Sequence, residues 1–137
     1  MSSEPLRTFE DLECWKACRA LRIFVAREFC RSLPREERYR MGDQLIRAAR
    51  STTANIAEGY GRFHYLDNAK FCSNARGSVW EVIDHLITAE DEQLTDPSLT
   101  SKGRELASKA VALLNGYISY LRRASAAKPP AEGGTTV

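Results

Sequence analysis

The run from Gln44 to Gly59, Gln-Leu-Ile-Arg-Ala-Ala-Arg-Ser-Thr-Thr-Ala-Asn-Ile-Ala-Glu-Gly, constrains the fold more than any other stretch, because it packs small, polar and apolar residues into one helix. Leu45, Ala48, Ala49, Thr52, Ile56 and Ala57 recur at three- and four-residue steps, the spacing that aligns side chains on one helical face. The alanines let a neighbouring helix approach closely. Asn55 and Glu58 sit beside that face and must find hydrogen-bond partners if they are buried. A helix of this kind is specified by what packs against it on more than one side.

Three further segments carry the same periodicity. Leu12, Trp15, Cys18, Leu21, Val25 and Phe29 define a first helix that Pro34 ends. Pro34 followed by Glu36 and Glu37 opens a second helix near Arg35, with acidic charge at the end where the helix dipole favours it, and this helix runs through Gln44–Gly59. Gly59 and Gly61 mark its end or a break. Ala69, Cys72, Ala75, Val79, Val82, Leu86 and Ala89 define a third helix from about Leu66 to Ala89. Asp96 as N-cap and Pro97 as first helical residue start a fourth, whose stripe from Leu99 to Leu121 continues to Arg123. Helices of about 22 residues rise roughly 33 Å each, and short links oblige neighbours to run antiparallel. The expected fold is all-α, an antiparallel up-down-up-down four-helix bundle over residues 1–124, with residues 125–137, rich in Pro, Gly and Ala, as a disordered C-terminal tail. No strand pattern and no internal repeat is visible.

At 137 residues, 43% of them hydrophobic and 28% charged, the chain has the size and composition of one soluble domain that needs no disulfide or metal to fold. Its apolar runs fall short of the roughly 20 residues of a membrane span, and its first residues resemble no targeting peptide, so no membrane association and a cytoplasmic location are expected. Cys14, Cys18, Cys30 and Cys72 fall within helical patterns and read as reduced thiols. The net charge of +2 argues little, but its distribution is uneven. Arginines crowd the first two helices, whereas Asp67, Glu81, Asp84, Glu90, Asp91 and Glu92 make the third acidic.

Phe9-Glu-Asp-Leu12 followed by Trp15, the Gln44–Gly59 run, and Gly77-Ser78-Val79-Trp80-Glu81-Val82 together resemble the four-helix bundle protein family encoded by intervening sequences of 23S ribosomal RNA genes. More distantly they are similar to the accessory variability determinant proteins of diversity-generating retroelements. The resemblance implies ring-shaped homopentamers, a basic surface that engages RNA or a nucleoprotein partner, and no enzymatic activity. It carries Gln44, Arg47, Asn55, Glu58, Ser78 and Glu81 over as recurring polar residues. Ile46 stands where members often have a second basic residue, and Thr53 where many have proline, which implies a weaker basic patch and a straighter helix.

The candidate sites have competing readings. Asn55, Glu58, Ser78 and Glu81 form either a polar site or, the favoured reading, an internal network with Gln44 that fixes helix register, with Arg47 closing it. Arg38, Arg40, Arg47, Arg50 and Arg62 are the nucleic-acid-binding candidates, since arginine suits bidentate phosphate recognition; the alternative is a solvated face paired with Glu36, Glu37 and Asp43. Tyr60, Phe63 and Tyr65 either stack on bases or, more often for such clusters, pack a helix corner. Cys14 and Cys18 with His64 or His85 lack the paired ligand spacing of zinc sites, so core thiols are preferred and no metal or cofactor is expected. Glu58, Glu81 and His85 do not form a nucleophile–base set, which makes an enzyme the weakest reading. Trp15, Phe24, Trp80, Ile83, Ile87 and Tyr120 exceed what a small core encloses, and this surplus points to a homo-oligomer. The function expected is a non-enzymatic RNA or nucleoprotein binding module, with a protein-protein interaction scaffold as the alternative.

Overall fold

The computed structural model describes residues 7–127, which form no strand and four long helices. Helix α1 starts at Glu13–Phe24, passes through a π turn at Val25–Phe29 and ends with Cys30–Ser32; α2 is Met41–Tyr60, α3 is Tyr65–Asp91 and α4 is Pro97–Ala127. A 3-10 turn at Phe9–Asp11 precedes them, capped reciprocally by the Thr8 hydroxyl and the Asp11 carboxylate. Each seam pairs positions in opposite order: Arg22 with Thr53 and Cys30 with Gly42 between α1 and α2, Ser51 with Ser78 and Gly59 with Asn68 between α2 and α3. Asn68 with Tyr117 and Leu86 with Gly103 do the same between α3 and α4.

Burial follows the stripes read from the sequence. Leu21, Val25, Leu45, Ile56, Val79, Val82, Leu86 and Leu114 are fully enclosed, so all four helices contribute to one core. Phe24 and Ile83, expected among the surplus, are buried as well, because the core-facing stripes of α1 and α3 are wider than their strict three-four spacing suggests. Trp80 and Tyr120 do remain outside, at 55% and 49% exposure.

The π turn explains the far half of α1. Phe29, Cys30 and Leu33 are buried although continued 3.6-residue geometry would carry Cys30 and Leu33 away from the face of Leu21 and Val25. Widening one turn absorbs one residue and rotates the remainder of the helix back, which restores the apolar face to the core.

The boundaries differ from expectation at two places. Arg35–Arg38 is a separate single turn, and α2 begins only at Met41. The Arg38 guanidinium donates to the carbonyls of Leu33 (3.1 Å) and Arg31 (2.9 Å), capping α1, and the chain must then bend to seat buried Gly42 against Cys30. At the other end α4 continues to Ala127, so residues 125–127 of the expected tail are helical; residues 128–137 lie outside the described part. The Asp96-Pro97 start is found as read: Asp96 Oδ1 accepts the Ser98 N–H at 2.9 Å, and these bonds hold its carboxyl below the ordinary value.

Helix α3 ends without glycine. The Leu94 N–H reaches the Ala89 carbonyl (2.9 Å), the Gln93 N–H reaches that of Glu90 (3.0 Å), and Gln93 adopts φ 57. A side chain in this left-handed conformation is strained, so Gln93→Gly is expected to stabilise the protein by about 0.5–1 kcal/mol. Chemical denaturation reads this as a higher midpoint with an unchanged slope.

Candidate nucleic-acid interface

The seam between α1 and α2 is left open along its outer side. The outward stripe of α2 there is small, with Ala54 and Ala57 next to Arg50, so the seam forms a groove of about 560 Å³ rather than a packed joint. Ile23 and Ile46 line its walls, and Phe9 and Trp15, edge to face at 5.3 Å, line the end nearest Ala57. Three arginines line it, Arg22, Arg27 and Arg50, and none of the described carboxylates does. Arg22 is half-buried and anchored: its Nη1 donates to the Thr53 hydroxyl at 2.7 Å. Arg27 and Arg50 are exposed. With three arginines and no acid among its described lining residues, this surface attracts anions, and guanidiniums match phosphate oxygens in a bidentate manner.

Of the arginines singled out from sequence, only Arg50 lines the groove. Arg47, one turn earlier, is exposed and makes no ion pair with a described residue, so it does not close a network with Glu58 or Glu81. Arg38 is committed to the carbonyls that cap α1. Arg40 pairs with Glu37 at 3.6 Å, and Arg62 pairs with Glu58 at 2.9 Å while its guanidinium lies 4.7 Å from the centre of the Phe71 ring. The residues missed are Arg22 and Arg27. Their five-residue spacing sets them about 140° apart on a regular α-helix, and the π turn that contains Arg27 narrows that angle; both line the groove.

The expected polar network is smaller than the sequence suggested. Asn55 Nδ2 donates to the Ser51 carbonyl (2.9 Å) and hydroxyl (3.0 Å), and Ser51 shares a hydrogen bond of 2.9 Å with Ser78 across the α2–α3 seam. Ser51, at the centre, was not among the candidates; its place one turn before Asn55 was the available signal. Glu58 and Glu81 stand apart from it, exposed: Glu58 pairs with Arg62 just past the end of α2, and Glu81 with His85 of its own helix at 3.4 Å. Gln44 is exposed and likewise takes no part. Surface pairs of this type contribute little to stability. The stronger ties between helices are Asn68 to Tyr117 (3.1 Å) and Arg76 to Asn115 (2.7 Å).

All four cysteines are free and buried. Burial pushes the thiols of Cys14 and Cys72 up to about 12 and those of Cys18 and Cys30 up to about 11. They therefore stay protonated and poorly nucleophilic at neutral pH. No cluster of three or more metal-ligating side chains occurs among the described residues. His64 is exposed at the start of α3, while His85 is occupied by Glu81, so neither joins Cys14 and Cys18.

The carboxylates gather elsewhere. Glu81, Asp84, Glu90 and Asp91 are exposed on α3, with Trp80 among them, so α3 is the acidic helix expected from the sequence. No described helix is long and apolar enough to cross a membrane.

A four-helix protein with a cationic groove of this kind is compatible with several families, and comparison separates them. The family described as 23S rRNA-intervening sequence protein matches residues 10–116, and the chain belongs to it. The match spans α1, α2, α3 and most of α4, and so takes in the whole groove apart from Phe9. No curated protein matches the chain significantly.

Proposed function

We propose that this protein is a cytoplasmic, non-enzymatic RNA-binding module, an up-down-up-down antiparallel bundle that works as a homo-oligomer and grips the phosphate backbone in its α1–α2 groove. The observation that carries the reading is the groove itself: Arg22, Arg27 and Arg50 line it, and none of the described carboxylates does. Phosphate contacts from arginine supply most of the affinity in sequence-independent nucleic-acid binding. Arg47, free of ion pairs, extends the cationic track along α2. The reversed order of paired positions on each seam supports the bundle topology. The family's link to ribosomal RNA genes supports RNA as the polymer by association.

Trp80 supports self-association. A tryptophan 55% exposed beside Gly77, whose Cα faces open space, offers a large apolar contact to another subunit. The ring-shaped pentamer is the assembly that the family resemblance implies. The same tryptophan favours the second reading, a scaffold that binds protein partners without nucleic acid.

Fluorescence anisotropy with a labelled RNA hairpin separates the two. The double variant Arg27→Ala/Arg50→Ala is expected to bind on the order of tenfold to a hundredfold more weakly at low salt. Its assembly mass by light scattering should equal that of the unaltered protein. Unchanged affinity in a folded double variant contradicts the groove as the phosphate site and leaves the scaffold reading.

A further inference from the structure

The end of the bundle where α2 turns into α3 carries an aromatic cluster that the groove reading leaves unused. Phe63 is 77% exposed and Tyr65 41%, although both belong to the cluster expected to pack a helix corner, and Tyr120 is 49% exposed. Tyr117 lies nearly parallel to Tyr120, with ring centres 6.1 Å apart and planes at 16°. Its hydroxyl accepts from Asn68 Nδ2 at 3.1 Å, which holds its ring in place, while Tyr120 turns a half-open face outward. Phe63 stands edge-on to His64 at 5.0 Å. The rings are thus set at fixed positions around two depressions: one of about 220 Å³ among Tyr60, Phe63, Tyr117 and Tyr120, the other of about 420 Å³ between Phe63, Tyr65 and the alanines Ala124 and Ala127.

Arg62 and His64 line the first depression, Arg122 and Arg123 are exposed on the last turns of α4, and no carboxylate of the described residues lines either depression. The carboxylates nearest in sequence are Glu58, held by Arg62, and Asp67, which faces solvent outside the lining. Arg62 is itself fixed by Glu58 and by the Phe71 ring. The α1–α2 groove opens toward the same end, since Ala57 and Phe9 line it there. Arg62, which lines the first depression, stands just past the end of α2 toward which the groove opens.

We infer that this corner is a stacking platform for unpaired nucleotides: an RNA strand whose phosphates follow the groove lays one or two bases against Phe63, Tyr65 and Tyr120. The inference rests on the RNA reading above and deepens it by naming a single strand as the ligand. Aromatic rings next to an arginine suit bases, because every base offers a π-face and a flanking phosphate meets the guanidinium. A fully paired helix keeps its bases stacked inside and has none to offer. Isolated protein partners of ordinary composition would bring carboxylates or aliphatic side chains, for which the corner provides arginine but little enclosed apolar volume.

The test uses the full chain with two labelled RNAs, an unstructured oligouridylate and a blunt paired duplex. Phe63→Ala/Tyr120→Ala is expected to weaken oligouridylate binding on the order of tenfold to a hundredfold, with the slope against salt unchanged and duplex binding unaltered. Phe63→Trp is expected to retain affinity and to show fluorescence quenching when oligouridylate is added, measured against the background of Trp15 and Trp80. A folded alanine double variant that binds oligouridylate as tightly as the unaltered protein overturns the platform while leaving the groove reading intact. Equal losses for strand and duplex also overturn it. A change of assembly mass in the double variant instead assigns the corner to contact between copies of this chain. If the unaltered protein binds neither RNA, the groove reading falls and the platform with it.

Discussion

Gly59→Ala is expected to destabilise the protein by roughly 2–3 kcal/mol, even though alanine is the better helix former. A Cβ at Gly59 would lie 2.6 Å from Asn68 Oδ1, 2.9 Å from Phe71 Cβ and 3.0 Å from the Asn68 carbonyl oxygen. None of these can yield cheaply. The Asn68 side chain is buried and tied to Tyr117 and to the Cys72 thiol, and the other two atoms move only with the α3 backbone. Relief therefore requires α2 and α3 to separate at the point where they turn. Thermal unfolding should show a midpoint lower by about 10 °C. Gly116→Ala is the matched control: it lies within α4 with nothing within 4 Å of a Cβ, so it should gain about 0.5–1 kcal/mol. A Gly59→Ala protein as stable as the original would show that α2 and α3 do not approach this closely.

Two single-residue deletions in α1 should have opposite outcomes. Removing Arg27 takes one residue from the π turn, which can then close as ordinary α-helix while Phe29, Cys30 and Leu33 keep their direction into the core. Removing Ala20 takes an equally exposed residue from regular helix and rotates all that follows by about 100° relative to what precedes it. That rotation swings either Cys14, Ala17 and Cys18 or the Leu21–Leu33 stripe out of the core, and the protein should fail to fold cooperatively. Circular dichroism during heating checks both. A deletion of Arg27 that unfolds the protein as completely as the deletion of Ala20 would contradict the role given to the π turn.

These two cases also mark where the sequence was legible and where it was not. The stripes of α3 and α4 and the Asp96-Pro97 start could be read directly, because each obeys a single period or a local capping rule that needs no knowledge of neighbours. The π turn could not, since reading a helix at 3.6 residues per turn assumes the regularity that α1 abandons. Arg22 and Arg27 are hard to pair for the same reason, as the π turn narrows the angle between them. Gly59 and Gly61 read as marking a helix end, and α2 does end at Tyr60; the further role of Gly59, admitting Asn68 and Phe71 of α3, depends on a contact that local sequence does not encode. Asn55 and Ser78 were recognised as facing the same seam, whereas Glu58 and Glu81 were placed there only by their three-residue spacing. That spacing fixes the face of a residue but not whether a long charged side chain stays on it, and both carboxylates turn to cations one helical turn away.

The aromatic corner shows a related limit. Tyr60, Phe63 and Tyr65 are close in sequence, and local rules favour packing for such clusters. Tyr117 and Tyr120 arrive from α4, some fifty residues later, and their arrangement leaves the rings open to solvent.

The central claim is that the α1–α2 groove binds RNA through its arginines, and its most direct measurement is the affinity of the unaltered protein for RNA over a series of salt concentrations. With Arg22, Arg27 and Arg50 each meeting a phosphate, log K should fall linearly against log salt concentration with a slope of about −2 to −3. No saturable binding at low salt, or binding that salt leaves unchanged, would contradict the account.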